Sequence, residues 1–375
     1  MEVLLEILFW FSFTILFFCY FGYPFTLWIY SLFNGVQVNK GNDYYPSVTL
    51  IISAYNEEKV IEKKIQNCLK IKYPKLQIVI VSDGSTDRTK SICKRYSDYI
   101  RLFHYEENQG KNTSLNKTLV HIESDIVIFS DANCFYNEDA VEKLVQNFSD
   151  NRIGCVVGQL KLIQTDRSNI AKGEGLYWRY EHMLKILESK IGQLSIANGS
   201  IFAIRKNLLM KLEPDIANDF QIPMRIGSKG LLVIYEPFAI ACEKTALNVN
   251  EEFNRKIRIV NRGLVGFLKM RKEIRGIRFF EFIFHKLVRW FTSLLSLIIL
   301  VTSLGLCYKP FFLFILLGQI IFYFFAFIGF IFQRPEKLFY VPYYFCMVHW
   351  SALIGVVKVL LGQTFSKWQS PDSSR

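Results

Sequence analysis

The chain of 375 residues is 51% hydrophobic and 16% aromatic, with 34 Phe and a formal net charge of +12. That length holds one large domain or two, and that hydrophobicity exceeds what an ordinary soluble protein carries. The eight cysteines are scattered without a C-x-x-C pair and the five histidines show no metal-ligand spacing, which points to reduced core or lipid-facing thiols instead of a disulfide scaffold.

From residue 3 to residue 33 the only charge is Glu6, and no Lys or Arg precedes Lys40. Such a run can cross a bilayer with some tilt, or with a kink at Pro24. A cleaved signal peptide needs a basic n-region and a small-residue cleavage site, and neither is present. Residues 1–36 therefore read as a retained transmembrane anchor. Basic residues follow this span and none precede it, so the positive-inside rule places the N-terminus outside and the following domain in the cytoplasm of a cell-membrane protein. Arg334 and Lys337 fit the same side, whereas Lys367 and Arg375 argue against an outside C-terminus.

Residues 44–275 form the predicted catalytic-type domain. Strands are expected at 48–53, 77–82, 101–104 and 126–130, and helices at 57–69, 87–96, 113–121 and 138–148. Strands alternating with helices of this length specify a doubly wound α/β domain with a mostly parallel sheet. Two strands are near twins: Ile78-Val79-Ile80-Val81-Ser82-Asp83 and Ile126-Val127-Ile128-Phe129-Ser130-Asp131. Each is an apolar, β-branched run that stops at a carboxylate, the pattern of a strand buried on both faces. Ligands of open α/β sheets bind beyond the carboxyl ends of the strands, so the two acids mark one ligand site.

Three turns carry candidate chemistry. Ser53-Ala54-Tyr55-Asn56-Glu57-Glu58 is a polar turn that also reads as plain helix capping. In Asp83-Gly84-Ser85-Thr86-Asp87, Asp83 can accept hydrogen bonds from a base or ribose, Gly84 permits a tight turn and Asp87 caps a helix; taken in isolation the segment favours a turn and cap without ligand. Asp131-Ala132-Asn133 places two oxygen-bearing side chains at i and i+2, able to share a hard divalent cation on the diphosphate of a nucleotide. Upstream, Asn108-Gln109-Gly110-Lys111 supplies a turn and a cation for the same phosphates, without the spacing of a P-loop.

Between residues 255 and 289 eleven Lys and Arg face only Glu273 and Glu281. The block leads into a membrane span, so anionic lipid headgroups are its expected neighbour and nucleic acid is not. Arg278, Glu281, His285 and Arg289 recur at helical spacing among phenylalanines, which predicts an amphipathic interface helix over 276–290. Membrane helices are expected within 291–363, from apolar stretches at 287–306, 311–332 and 341–361, and residues 364–375 form a tail.

With these motifs in this order, residues 46–266 resemble a family 2 glycosyltransferase of the GT-A fold. The resemblance is to the membrane-bound branch that includes hyaluronan, cellulose and poly-N-acetylglucosamine synthases. Ala197-Asn198-Gly199-Ser200 and Asn218-Asp219 extend it. It implies that Ala54, Tyr55 and Glu57 line the nucleotide pocket, that Asp83 binds the nucleobase and that Lys111 meets the diphosphate. Asp131 and Asn133 stand at the family's metal motif, which implies Mg2+ or Mn2+. Asp219 stands at the catalytic base, and Asn198, Gly199, Ser200, Arg255 and Arg258 stand toward the acceptor and diphosphate.

The family's Q-x-x-R-W acceptor motif falls at residues 255–259, where Arg258 is kept but Arg255 and Ile259 replace Gln and Trp. The resemblance thus implies an inverting, metal-dependent transfer from a nucleotide-sugar, a UDP-sugar ahead of a GDP-sugar, to a lipid-linked or glycan acceptor. A processive polysaccharide synthase is the alternative, because in those enzymes the missing Trp stacks under the acceptor sugar. A nucleotide-sugar-binding scaffold of weak activity is an alternative of another class, and a transporter is disfavoured by the scarcity of charge in the spans.

Overall fold

Eight strands form one sheet in the computed structural model, which describes residues 1–163, 169–244, 249–332 and 336–365, with 169–176 by backbone alone. They are β1 (Val48–Ala54), β2 (Leu76–Asp83), β3 (Arg101–Tyr105), β4 (Ile126–Asp131), β5 (Cys134–Tyr136), β6 (Ile153–Ile163), β7 (Phe202–Arg205) and β8 (Leu232–Lys244). Their spatial order is β3-β2-β1-β4-β7-β6-β8-β5. The pairs β1/β2, β1/β4, β2/β3 and β6/β8 are parallel, and β4/β7, β6/β7 and β5/β8 are antiparallel. The expected α/β, GT-A-type sheet is thus mostly parallel, with β7 and β5 inserted in reverse.

All seven residues of β1 are buried, as a central strand covered on both faces requires. Alternate side chains divide the core: Leu50 and Ile52 join Ile61, Ile65, Ile92 and Leu144 on one face, and Ile51 joins Val79, Leu115, Val127 and Ile226 on the other. Register pairs Ala54 with Ser82 and Ser53 with Asp131, so the two acid-terminated strands flank β1 and Asp83 lies two residues further along the sheet edge than Asp131.

The expected anchor consists of α1 (Glu2–Phe17) and α2 (Tyr23–Asn34), continuous through a π-helical turn over Phe18–Gly22 that ends just before Pro24, the residue without an N–H for the regular helical ladder. In the domain follow α3 (Ile61–Cys68), α4 (Thr89–Lys94), α5 (Lys111–Leu119), α6 (Ala140–Val145), α7 (Asn169–Lys190), α8 (Asn218–Ser228) and α9 (Val249–Met270). Helix α3 begins four residues later than expected. The Glu57 and Glu58 amides donate instead to Thr89 Oγ1 at 2.8 Å and Asp87 Oδ2 at 3.0 Å, which ties the turn after β1 to the turn after β2.

Beyond the domain lie α10 (Ile277–Phe282), α11 (Val288–Trp290), α12 (Thr292–Gly305), α13 (Pro310–Phe332) and α14 (Lys337–Leu360). Among the described residues three helices are long and apolar enough to cross a membrane: Glu2–Asn34, Pro310–Phe332 and Lys337–Leu360. The pair Ile277–Trp290 and Thr292–Gly305, bent by 62°, makes a fourth if it counts as one span. Arg334, Lys367 and Arg375, which bore on orientation, lie outside the described residues.

The amphipathic helix over 276–290 forms, but its polar face is turned inward. Arg278 donates to the Gly227 carbonyl, and Glu281 accepts from Ser195 Oγ at 2.7 Å. His285 lies between Glu188 at 2.5 Å and Glu181 at 3.1 Å, and Arg289 meets Glu181 at 2.5 Å. The face expected to meet lipid headgroups is therefore covered by the domain, because α7 supplies carboxylates at contact distance. Phe280 and Phe284 pack on Tyr23 and Phe18 of the anchor.

Candidate active site

A cavity of about 400 Å³ opens beyond the carboxyl end of β4 and runs down to the helices that follow the domain. Its sheet end presents Lys111, Asp131, Asn133, Gly199, Asp219 and Glu243. One wall is α7, with Trp178, Glu181 and Lys185, and another is α9, with Arg255, Arg258 and Arg262. Its far end is Trp290, Val348, His349 and Ala352.

Asp131 is the last residue of β4. Lys111 opens α5 directly after Gly110, whose φ of 91° sharpens the entry, and its ammonium lies 2.6 Å from Asp131 Oδ1. On the other side, Ser200 Oγ is 3.4 Å from Asp131 Oδ2 and 3.3 Å from Glu243 Oε2. Asn133 Nδ2 donates to Glu243 Oε1 at 3.1 Å, which leaves the Asn133 oxygen as the atom it can offer a cation. Beneath this turn the fully buried Lys64 donates to Ser130 Oγ at 2.9 Å and to the Cys134 carbonyl, and lies over the Tyr136 ring. It fixes the segment that carries Asp131 and Asn133.

Glu243 had no signal in the sequence. It sits on β8, and the antiparallel pairing of Cys134 with Glu243 carries it to Asn133. These oxygens, two carboxylates with an amide and a hydroxyl, are hard donors of the kind Mg2+ and Mn2+ accept, and they fit a cation that completes its shell with phosphate and water. Among the described residues no group of three His, Cys, Asp or Glu forms an all-protein cage.

Asp219 lies in the first turn of α8. Burial pushes its carboxyl above the usual aspartate range, and Asp131 adds to this, while Lys111 and Arg262 oppose it. A side chain on Gly199 would meet Asp219 Oδ2 at 3.3 Å and Asp131 Oδ2 at 3.7 Å, so the bare backbone there keeps open the space between the two acids. The loop is held from behind: the Ala197 amide donates to the Asp219 carbonyl at 2.9 Å, and Asn198 Nδ2 donates to the Gly158 carbonyl at 2.9 Å. Asn198 Oδ1 accepts from Lys185 at 2.5 Å. Burial pulls the Lys185 ammonium down to about 8, against the raising effect of Glu181.

Arg255 and Arg258 line the cavity, and Arg262, one helical turn beyond Arg258, joins them. Arg255 is 2.8 Å from Glu252. Burial, with Arg262 and Arg255 as like charges, lowers the Arg258 pKa. Of the nucleotide set, Glu57, Lys111 and Asp131 reach the cavity, whereas Ala54, Tyr55 and Asp83 are not among its walls. Asp83 is buried and accepts from the Gln109 amide at 3.0 Å, the Gly110 amide at 2.9 Å and Ser114 Oγ at 2.5 Å. Its carboxylate thus closes the turn that presents Lys111. Gly84 beside it has φ of 69°, and a Cβ there would lie 2.2 Å from the Asn108 nitrogen. Arg205 serves the fold away from the cavity, donating to the Ile153, Phe148 and Asp150 carbonyls.

Over residues 49–213 the chain matches the family Glycosyl transferase family 2. The chain carries a family 2 glycosyltransferase domain. Asp219, Glu243 and the α9 arginines lie beyond the matched stretch. The domain is 27% identical over 220 residues to a poly-beta-1,6-N-acetyl-D-glucosamine synthase of Staphylococcus aureus, which covers 56% of this chain and 52% of that protein. The chain thus spans about half the length of that curated relative. It is 25% identical over 280 residues to the probable glycosyltransferase YdaM of Bacillus subtilis, covering 69% of this chain and 67% of the relative. Among solved structures, mannosyltransferase PcManGT from Pyrobaculum calidifontis, in complex with GDP-Man and Mn2+, superposes with a TM-score of 0.76 at 21% identity, over 96% of this chain and 99% of that one. The fold of the domain together with its flanking helices is therefore shared.

Proposed function

We propose that this chain is an inverting, metal-dependent glycosyltransferase that moves a sugar from a nucleotide-sugar to a lipid-linked or glycan acceptor at the cytoplasmic face of the membrane. The observation that carries this reading is the approach of Asp131 and Asp219 to one point beside Gly199, within a single cavity. The sugar carbon would lie between an acid that meets the leaving group's side and an acid that meets the acceptor's side.

Asp219 takes the proton from an acceptor hydroxyl. The hydroxyl oxygen forms its bond to the anomeric carbon as the bond from that carbon to the diphosphate oxygen breaks, and the nucleoside diphosphate leaves with the bonding pair. Attack from the far side inverts the anomeric centre. An acid with a raised pKa is the stronger base once ionised, which suits it to a proton shared in the transition state. Lys111 and the α9 arginines offset charge that develops on the diphosphate. Asp131, Asn133 and Glu243 would hold a divalent cation, which supplies further stabilisation of that charge when bound. The solved mannosyltransferase of the same fold carries GDP-Man and Mn2+, which supports a nucleotide-sugar and a metal here.

The membrane-face reading rests on the apolar helices that flank the domain and on the basic residues that follow the first of them. Membranes containing the chain, supplied with UDP-sugars and with GDP-mannose in the presence of Mg2+ or Mn2+, should release nucleoside diphosphate from one donor. Asp131→Ala and Asp219→Asn should abolish that release. No release from any donor, with both variants matching the parent, would falsify the reading.

A further inference from the structure

The residue at which family 2 processive enzymes carry a stacking Trp is here Ile259, on a half-exposed face of α9. The cavity nevertheless contains an aromatic platform from a different element. Trp178, on α7, lines it beside Tyr177, and the Lys185 ammonium lies 6.0 Å from the Trp178 ring and 5.9 Å from the Tyr235 ring. Lys185 donates in turn to Asn198, the neighbour of Gly199, so Trp178 connects through two contacts to the space beside Asp219. A flat aromatic face flanked by an ammonium and an amide matches a pyranose, whose C–H face is apolar and whose rim is hydroxylated.

The cavity is also amphipathic along its length. Phe282, Trp290, Val348 and Ala352 line its far end, and the charged residues that the same helices add, His285, Lys286 and Arg289, are met by Glu181 and Glu188. At that end His349 is 6% exposed; its Nε2 engages the Tyr20 hydroxyl, while its Nδ1 has no hydrogen-bond partner among the described residues. A buried polar atom without a partner is destabilising unless a ligand meets it. A polar linkage between a sugar and an apolar chain would do so.

We propose that Trp178 is the platform of an acceptor subsite, completed by Lys185 and Asn198, that takes a sugar headgroup carried on an apolar chain, with the chain directed toward Trp290, Val348 and Ala352. This rests on the glycosyltransferase reading above and deepens it: the acceptor is a glycosylated amphiphile, and the lost Trp of α9 is replaced from α7.

The test uses the full chain in nanodiscs, with the donor that gives nucleoside diphosphate release and hexyl glycosides of glucose, mannose and N-acetylglucosamine as acceptor probes. One hexyl glycoside should accelerate release and yield a hexyl disaccharide by mass spectrometry, while the free sugar and hexanol at equal concentration should not. Trp178→Ala should raise the KM for that glycoside about tenfold, with kcat within about threefold, and Trp178→Phe should restore most of the loss. Nucleotide affinity, measured on the same preparations, should stay within about twofold of the parent and so certify the fold. The inference is overturned if no hexyl glycoside accelerates release, if the free sugar serves equally well, or if Trp178→Ala leaves the glycoside KM unchanged. A chain that turns over no donor fails the glycosyltransferase reading itself, and this inference with it.

Discussion

Lys111 Nζ lies 2.6 Å from Asp131 Oδ1, joining the first residue of α5 to the last residue of β4 at the sheet end of the cavity. The pair is partly exposed, so its direct worth to stability is small. Its consequence is positional: cation and carboxylate are both in place before a diphosphate enters. Lys111→Met should therefore leave the melting temperature nearly unchanged and lower turnover by about a hundredfold, the scale of losing one group that stabilises charge in a transition state. Nucleoside diphosphate release and thermal unfolding, measured on one preparation, check both halves.

Asp219 gives a pH signature. Its folded carboxyl is raised above the ordinary aspartate value by burial first and by Asp131 second. As a base it works only when ionised, so kcat should climb with pH through that raised pKa. The stability sign follows separately. A carboxyl that holds its proton more tightly when folded stabilises below the unfolded pKa, and this contribution disappears as pH rises through the folded value. At neutral pH Asp219→Asn should then be more heat-stable than the parent, with the difference shrinking toward acid pH, while kcat falls by about a hundredfold to ten-thousandfold. An alkaline limb should appear near 8, where Lys185 loses its proton.

For Asp83, the structure and the resemblance point to different measurements. Its carboxylate accepts from two amides and a hydroxyl of the turn that bears Lys111. Asp83→Ala would bury those donors without an acceptor, a cost on the order of 3 kcal/mol. The expected result is a lowered melting temperature together with weakened nucleotide binding. A direct bond to the nucleobase alone would weaken the nucleotide and leave the melting temperature in place.

The legible parts of this chain were those written locally. The two acid-ended strands announced the sheet and its ligand edge because a buried parallel strand has a continuous apolar signature. Asp131 and Asn133 were readable together because they are two residues apart. Glu243 was silent because strand pairing brings it in from more than a hundred residues away, and one Glu in a strand resembles any other. Residues 278, 281, 285 and 289 showed the opposite failure. Periodicity identified them as one helical face but says nothing about what covers it, and the covering carboxylates, Glu181 and Glu188, sit on α7, where no sequence rule links them to that face.

Glu243 provides the sharpest test of the proposed metal site, because its carboxylate has two neighbours that make different demands. Oε1 accepts from Asn133 Nδ2, and Oε2 lies beside the Ser200 hydroxyl, itself next to Asp131. Glu243→Gln keeps the shape and removes the charge. If the residue only orients Asn133, the amide oxygen of Gln still accepts that bond, and the metal requirement stays near the parent's. If it supplies charge to the cation, the Mn2+ concentration for half-maximal turnover should rise about tenfold to a hundredfold, the range seen when groups that support metal ligands are lost. Chelation with EDTA should abolish turnover in parent and variant alike, and titrating Mn2+ back should separate their curves. Saturating Mn2+ should bring the variant's rate close to the parent's, since a deficit in binding is made up by concentration whereas a deficit in chemistry is not.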